Sequence, residues 1–484
     1  MNFKHIASAV LSLGMAFNIA WAQEDADRGT LLQISDPKPP LYQVLTLDEC
    51  LRIALSESPT VKIADMEVQR MDYSKRDVIG QLLPTIDFGA TYNRMVAKQV
   101  MYMNLGAFGG AGGDDAEGGQ AASETKKDEG IKMGLDNSYS MGFTASLPLI
   151  APQLWKSLQL SDSQILLAVE TARQSRQNLV DQVKSAYYAY LLALDSRKVI
   201  QESYDMARLT YETYSKQYAL GAASDYDVLR TSVAMKNIEP QLQEADIAIK
   251  RANLQLLILM GLDSEFLYQP AGQLSDYEAT MYANALAVDK KNLSNNADLR
   301  LLDINTDILQ KSLAMNKLAF SPTLAFTANY NWTSMSNGSP FRNFRWNPYS
   351  TVGLTLSVPI FQGGRRWNAL KTTQIQIDEM AWQKTNLERS IAMQVDLAVD
   401  NINMNIKQIA SCSESVKQAE RAHEIMERSF DIGAASYLNL RDSELALTQA
   451  RLAYNQAIYN YLIAESSLEL LLGNAPIDKY INEK

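Results

Sequence analysis

Tyr218-Ala219-Leu220-Gly221-Ala222-Ala223-Ser224 and Phe430-Asp431-Ile432-Gly433-Ala434-Ala435-Ser436 are one short phrase written twice, 212 positions apart. Each closes a run of about 65 residues with neither glycine nor proline, from Gln153 to Leu220 and from Arg365 to Ile432. The runs are rich in Leu, Ala, Gln, Lys, Arg and Glu, which lose least on entering a helix. Each predicts a helix of roughly 100 Å at ~1.5 Å per residue, far beyond the three or four turns of a globular helix. The glycine of each phrase supplies a left-handed C-cap, and Ser224 or Ser436 caps the next helix. The phrase is therefore the tip of a long helical hairpin.

The returning segments carry the matching seam. Leu447, Ala450, Tyr454, Ala457, Tyr461, Ala464, Leu468 and Leu471 step by three and four, as in a coiled coil. Met235, Ile238, Leu242, Ala245, Ile249, Ala252, Leu256 and Leu259 do the same in the first half, where Pro240 predicts a mild kink. Working outward, Trp155 and Trp367, and Gly261 and Gly473, keep the spacing of 212; Pro148 and Pro359 fit it with one inserted residue, and Pro84 and Pro322 pair at 238. The chain is a tandem duplication.

Beside the helices lie four segments of about ten residues that alternate strictly. Ile86, Phe88, Ala90 and Tyr92 share one side; so do Tyr139, Met141, Phe143, Ala145 and Leu147; Leu324, Phe326, Ala328, Tyr330 and Trp332; and Val352, Leu354, Leu356 and Val358. Ser, Thr, Asn, Gly and Asp fill the positions between. Period two with one apolar side makes a two-faced sheet, and the length suits a tilted membrane strand. Tyr92, Tyr139, Tyr330 and Trp332 fall toward the loop ends, where an interfacial aromatic girdle belongs. A soluble sheet would need a covering apolar layer, and the neighbouring helices spend their stripes on pairing. Four strands do not close a barrel and an open edge is not tolerated in lipid, so several chains must share one. The loop from Asn93 to Asn137 is glycine-rich and charged, and that from Asn331 to Pro348 is shorter and aromatic.

Composition narrows the function. A formal charge of −10 argues against a nucleic-acid partner. Lys4 and His5, the apolar Ile6 to Ala20 and Ala20-Trp21-Ala22 read as a cleaved export signal over 1–22. No other stretch has some 18 uninterrupted apolar residues, as a spanning helix needs. Cys50 and Cys412 make no metal-ligand spacing; export permits a bridge between them. Beyond the signal His423 is the one histidine, and no Walker loop, dinucleotide fingerprint or Gly-x-Ser-x-Gly elbow is present. No catalytic constellation, cofactor or metal site is expected.

Val358-Pro359-Ile360-Phe361-Gln362-Gly363-Gly364-Arg365-Arg366 resembles the strand-to-helix junction of the TolC-type outer-membrane efflux proteins. The two tip phrases resemble that family's hairpin tips, and Leu45-Thr46-Leu47-Asp48-Glu49-Cys50-Leu51 with Ala54-Leu55 resembles the opening of its first helix. The resemblance runs from about residue 45 to 473. It implies a mainly α fold with a small transmembrane β part: a homotrimer with a 12-stranded β-barrel in outer-membrane lipid and a periplasmic α-barrel of duplicated hairpins. It also implies the role of exit duct for small molecules in a tripartite pump, with a periplasmic adaptor at the tips and an inner-membrane transporter. The same duct in one-step protein secretion is an alternative, and a structural coiled-coil surface protein is another.

The expected layout is an extended segment over 23–45 and repeat 1 over 46–262, with strands near 84–94 and 138–148 and helices near 150–219 and 225–261. A linker with a short equatorial helix follows over 263–290. Repeat 2 spans 291–473, with strands near 322–332 and 349–359 and helices near 365–431 and 437–472, before a tail over 474–484. Adaptor docking is expected at Gly221, Ala222, Ser224, Gly433, Ala434 and Ser436. Carried over by distance from the tip glycines, Asp227 and Asp442 fall on acidic constriction positions. Phe430, Ala435 and Asn439 stand where the family's lock has Tyr, Arg and Asp, so that lock is lost; Arg230 and Arg441 are expected to pair with Asp227 or Asp442 instead.

Overall fold

The computed structural model describes residues 43–101, 131–266, 268–278, 293–338, 345–474 and 477–481. The expected signal, the extended segment up to residue 42, the glycine-rich loop at 109–115, Phe341, Phe344 and most of the linker lie outside these residues.

Each half is built on one very long helix, α3 (Pro152–Ala219) in the first and α7 (Arg365–Asp431) in the second. The chain returns along α3 as α4 (Asp225–Lys236) and α5 (Glu239–Met260), and along α7 as the unbroken α8 (Tyr437–Leu472). The kink expected at Pro240 is a local turn at Asn237 and Ile238, both still right-handed helical in backbone angle, and the proline sits in the first turn of α5, where its missing N–H costs nothing. Of the two seams, Leu256, Leu447, Ala457, Tyr461 and Leu468 are buried and the other positions half-buried.

Two further helices feed the strands. After a short α1 (Leu47–Glu57), opened by a reciprocal Thr46–Glu49 cap, α2 (Pro59–Gly80) leads into the first strand; α6 (Ala297–Leu318) leads into the second half's first strand. The 22 residues of α2 bury only Val61, so their apolar pattern carries little helical signal.

The sheet is antiparallel in the order β2 (Thr85–Arg94), β5 (Asn137–Ile150), β7 (Thr323–Ser336), β8 (Asn347–Ser357). Between β2 and β5 sits a small hairpin of β3 (Gln99–Met101) and β4 (Ile131–Met133). In the main sheet Phe88 stands opposite Phe143, Phe143 opposite Tyr330, Ala328 opposite Val352 and Phe326 opposite Leu354. All four apolar sides therefore fall on one face. Gly142 is fixed by that register, since a Cβ there would lie 2.0 Å from the Asn331 side chain and 2.5 Å from the Tyr330 carbonyl.

The helices follow the order of the strands they serve: α2 packs on α3, α3 on α6 and α6 on α7. Where the two halves meet, midway along α3, the core gathers Leu51, Val183, Tyr187, Leu257, Met260, Ile458 and Tyr461. A parallel pair of β1 (Gln43–Leu45) and β6 (Tyr268–Pro270) closes over it, and Tyr187 donates from its hydroxyl to the Ala271 carbonyl at 2.7 Å. Cys50 is buried there with its thiol pushed up to about 12 by burial, and both Cys50 and Cys412 are free thiols. A short α9 (Ile477–Ile481) returns to α1, where Tyr480 donates to Asp48.

Candidate functional site: an open membrane-type sheet and two hairpin tips

The two ends of the molecule carry its unusual chemistry. At the sheet end, the apolar face holds a linked aromatic band. Tyr92 stacks on Tyr139 at 4.9 Å, Phe88 lies 5.0 Å from Phe143, and Tyr330 meets Trp332 edge-on at 4.6 Å. Tyr139 is only 6% exposed, so of the four expected girdle residues it is the one packed inward. The opposite face is polar and carries one charge among its described strand residues, Asp87, opposite Thr144. Strands β2 and β8 each have a free edge. They also expose Ile86, Phe88, Val352, Leu354 and Leu356.

The outer turns of the two hairpins are tied together. The Asp136 carboxylate accepts from the Gly338 N–H at 3.1 Å and pairs with Lys98 at 3.0 Å, and these hold it below the usual carboxylate range. Asn137, fully buried, donates to the Gly338 carbonyl at 3.0 Å and accepts from the Tyr92 hydroxyl at 2.9 Å.

At the other end, Gly221 and Gly433 are left-handed at φ +73° and +74°. Ala222 and Ala434 return their N–H groups to Gln217 and Ser429 at 2.8 Å, satisfying the last carbonyls of α3 and α7. The tips are apolar and bare: Leu220 is 84% exposed and Ile432 81%.

The expected constriction residues are divided. Asp227 is the third residue of α4, and its carboxylate reaches back to the cap. It accepts from the Ser224 hydroxyl at 2.6 Å and the Ser224 N–H at 3.2 Å, bonds that lower its pKa. The expected Asp227–Arg230 ion pair is not made, because the cap holds the acid; Arg230 lies over the Tyr437 ring at 5.1 Å instead. Asn439, the counterpart of Asp227, leaves the Ser436 cap one-sided, with a single 3.4 Å bond. Asp442 is exposed and makes no ion pair among the described residues, so the Arg441–Asp442 pairing is absent as well.

What joins the two hairpins is aromatic. Tyr214 of α3 meets Tyr437 of α8 edge-on at 5.7 Å and lies 6.3 Å from Phe430 of α7, while Arg230 of α4 covers the other partner of that pair. Higher up, Arg451 of α8 donates to Glu202 of α3 at 2.7 Å and Glu420 of α7 at 2.8 Å. Tyr214 and Tyr437 were not singled out by sequence; the one available signal was that an aromatic directly follows the second cap serine.

A sheet with one lipid-type face and two free edges, rooted in helices of about 100 Å, is the build of an outer-membrane channel subunit rather than of an enzyme. Comparison bears this out. The model of the family described as outer membrane efflux protein matches residues 50–262 and 290–474. The outer membrane protein TolC of Escherichia coli is 22% identical over 369 residues, 71% of this chain and 74% of its own. The alkaline protease secretion protein AprF of Pseudomonas aeruginosa is 24% identical, over 70% of each chain. The crystal structure of the Campylobacter jejuni CmeC outer membrane channel shares the fold, with a TM-score of 0.68 over 93% of both chains at 16% identity. The chain belongs to the outer membrane efflux protein family: it is an outer-membrane channel with a long periplasmic helical extension, and not an enzyme.

Proposed function

We propose that three copies close this sheet into a 12-stranded barrel and that the helices below it form the exit duct of a tripartite export system for small molecules. The observation that carries the proposal is topological. The chain enters the sheet's first edge, β2, from α2 and leaves its last edge, β8, into α7. When β8 of one copy pairs with β2 of the next, α7 and the next copy's α2 become neighbours. Both present unspent apolar surface. Ile375, Trp382, Met393, Leu397 and Met404 are exposed along α7 at steps of seven, eleven, four and seven, one stripe of a helix. Ile63, Met66 and Tyr73 are exposed on α2. Counting ~1.5 Å per residue from the sheet-side end of each helix, Gly80 and Arg365, Ile375 and Tyr73 lie within about 5 Å in depth, as do Trp382 and Met66. The neighbouring helices thus do not spend all their apolar surface within one chain, contrary to the sequence expectation.

In this reading the apolar face of the sheet meets lipid and the face with Asp87 lines the lumen. A periplasmic adaptor docks at Gly221, Ala222, Ser224, Gly433, Ala434 and Ser436, where Leu220 and Ile432 offer apolar contact, and an inner-membrane transporter supplies the energy. Asp227, Arg230, Asn439, Arg441 and Asp442 surround the inner mouth. The test is a Met66→Cys, Trp382→Cys pair in a chain whose own cysteines are replaced. A bismaleimide should give linked dimers and trimers in outer membranes. Linkage only within single chains would refute the arrangement.

A further inference from the structure

Glu444 stands where α8 should be apolar. Half-buried, it lies one turn after Leu440 and one turn before Leu447, each 5% exposed. Its carboxylate has no hydrogen bond or ion pair among the described residues. The duplication supplies an internal control: in the same register the first hairpin has Val228, Ser232 and Met235, a small neutral residue between two apolar ones. The groups that face Glu444 are Arg441 on its own helix, which favours the ionised form, and Glu427 of α7, which opposes it. His423 of α7 is bonded to the adjacent Ser443 at 3.2 Å, and Ser443 donates to the Leu440 carbonyl at 2.6 Å, so this turn is the place where α7 and α8 are stitched near the tip.

We propose that Glu444 is a proton-operated wedge at the inner end of the second hairpin: protonated, it lets α7 and α8 close on a neutral side chain, and ionised, it draws water into the seam, repels Glu427 and parts the helices. This rests on the second hairpin being one wall of the duct's inner mouth. Burial raises the carboxyl from 4.5 to about 7, so the change of state falls within the pH range of a periplasm. The sign follows from linkage. The folded chain holds a proton that the unfolded chain has released, so stability falls as pH rises from about 4.5 and levels off above about 7.

The experiment uses the full chain as its purified assembly, with Cys50 and Cys412 replaced and spin labels at the exposed positions Ala422→Cys and Ala446→Cys. Between pH 5.5 and 8.5 the inter-label distance distribution should lengthen with a midpoint near 7. Glu444→Gln should hold the low-pH distribution throughout. Glu427→Gln should move the midpoint down and Arg441→Gln should move it up, while His423→Gln should leave a titration in place. In planar bilayers the parent should conduct more at high pH and E444Q should be flat. A titration that survives E444Q, is abolished by H423Q, or is absent from the parent overturns the proposal. Distances that titrate in a protein that never conducts would instead sink the duct reading and leave the wedge standing.

Discussion

The aromatic contact between the hairpins sets how tightly the inner end is held, and its strength follows from the geometry. Tyr437 carries two contacts to the first hairpin, the Arg230 guanidinium at 5.1 Å and the edge of Tyr214 at 5.7 Å. An exposed cation–π pair is worth ~0.5–1 kcal/mol, and an aromatic pair contributes ~0.5–1.5 kcal/mol beyond area burial. Removing the ring should therefore cost about 1–2.5 kcal/mol per copy, roughly a 5- to 70-fold shift toward separated hairpins. Tyr437→Leu should raise the open fraction of single channels by that factor at fixed pH. Tyr437→Phe keeps the ring and should behave as the parent, because the contacts are made by the face and edge and not by the hydroxyl. Arg230→Gln should give a smaller rise. In the double-mutant cycle Arg230 and Tyr437 should couple by about 0.5–1 kcal/mol. If the two substitutions add with no coupling, or if Y437L leaves the open fraction unchanged, the aromatic contact is not what holds the hairpins together.

The tips and the sheet give further tests. Ser224→Ala should cost about 1 kcal/mol of hairpin stability, measured by thermal melting. Ser436→Ala should cost less, since its cap is a single 3.4 Å bond. Asn439→Asp should complete the second cap and raise the melting temperature. Asp227 has a lowered pKa, so the stability it supplies is present above the ordinary carboxylate pKa and lost as pH falls through the folded value; D227N should flatten that acid limb. Gly142→Ala puts a methyl 2.5 Å from the Tyr330 carbonyl and should destabilise the assembly by about 1–3 kcal/mol or more, read as the temperature at which the oligomer dissociates on a gel.

How much of this was legible depended on whether a residue's signal lay along the chain or across it. The strand faces were legible because their period is two and every strand obeys it; the observed register simply lines the four faces up. The tips were legible because a left-handed glycine followed by a capping serine has a fixed spacing. The helix α2 was not, since Ile63, Met66 and Tyr73 face outward from the chain that carries them and are exposed. The kink before Pro240 was legible, because a proline lacks the N–H that would bond back to the preceding turn; it falls at Asn237 and Ile238. Near the tip, distance from the glycine singled out Asp227, and its carboxylate is held by the Ser224 cap. Its position three residues past Ser224 makes it a cap before it is a lumen charge, and the Ser-x-x-Asp spacing already held that alternative.

The two copies have diverged in a consistent direction. The first tip has a reciprocal cap at Ser224 and Asp227 and a neutral seam at Ser232, while the second has a one-sided cap at Ser436 and a carboxylate in its seam at Glu444. Each difference weakens the second hairpin relative to the first. Since α3 packs against α2, α5, α6 and α8, the first long helix is held on several sides. The helix α7 packs within its own chain mainly on α6 near the sheet and on α8 below it. Motion at the inner mouth should therefore be carried by α7 and α8, swinging from the aromatic contact with Tyr214. Hydrogen exchange resolves this directly. After correction for intrinsic rates, amides of residues 437–447 should exchange faster than those of 225–235 above pH 7, and E444Q with N439D should bring the two tips together. Equal protection of the tips in the parent would show that the copies diverged without dividing the work.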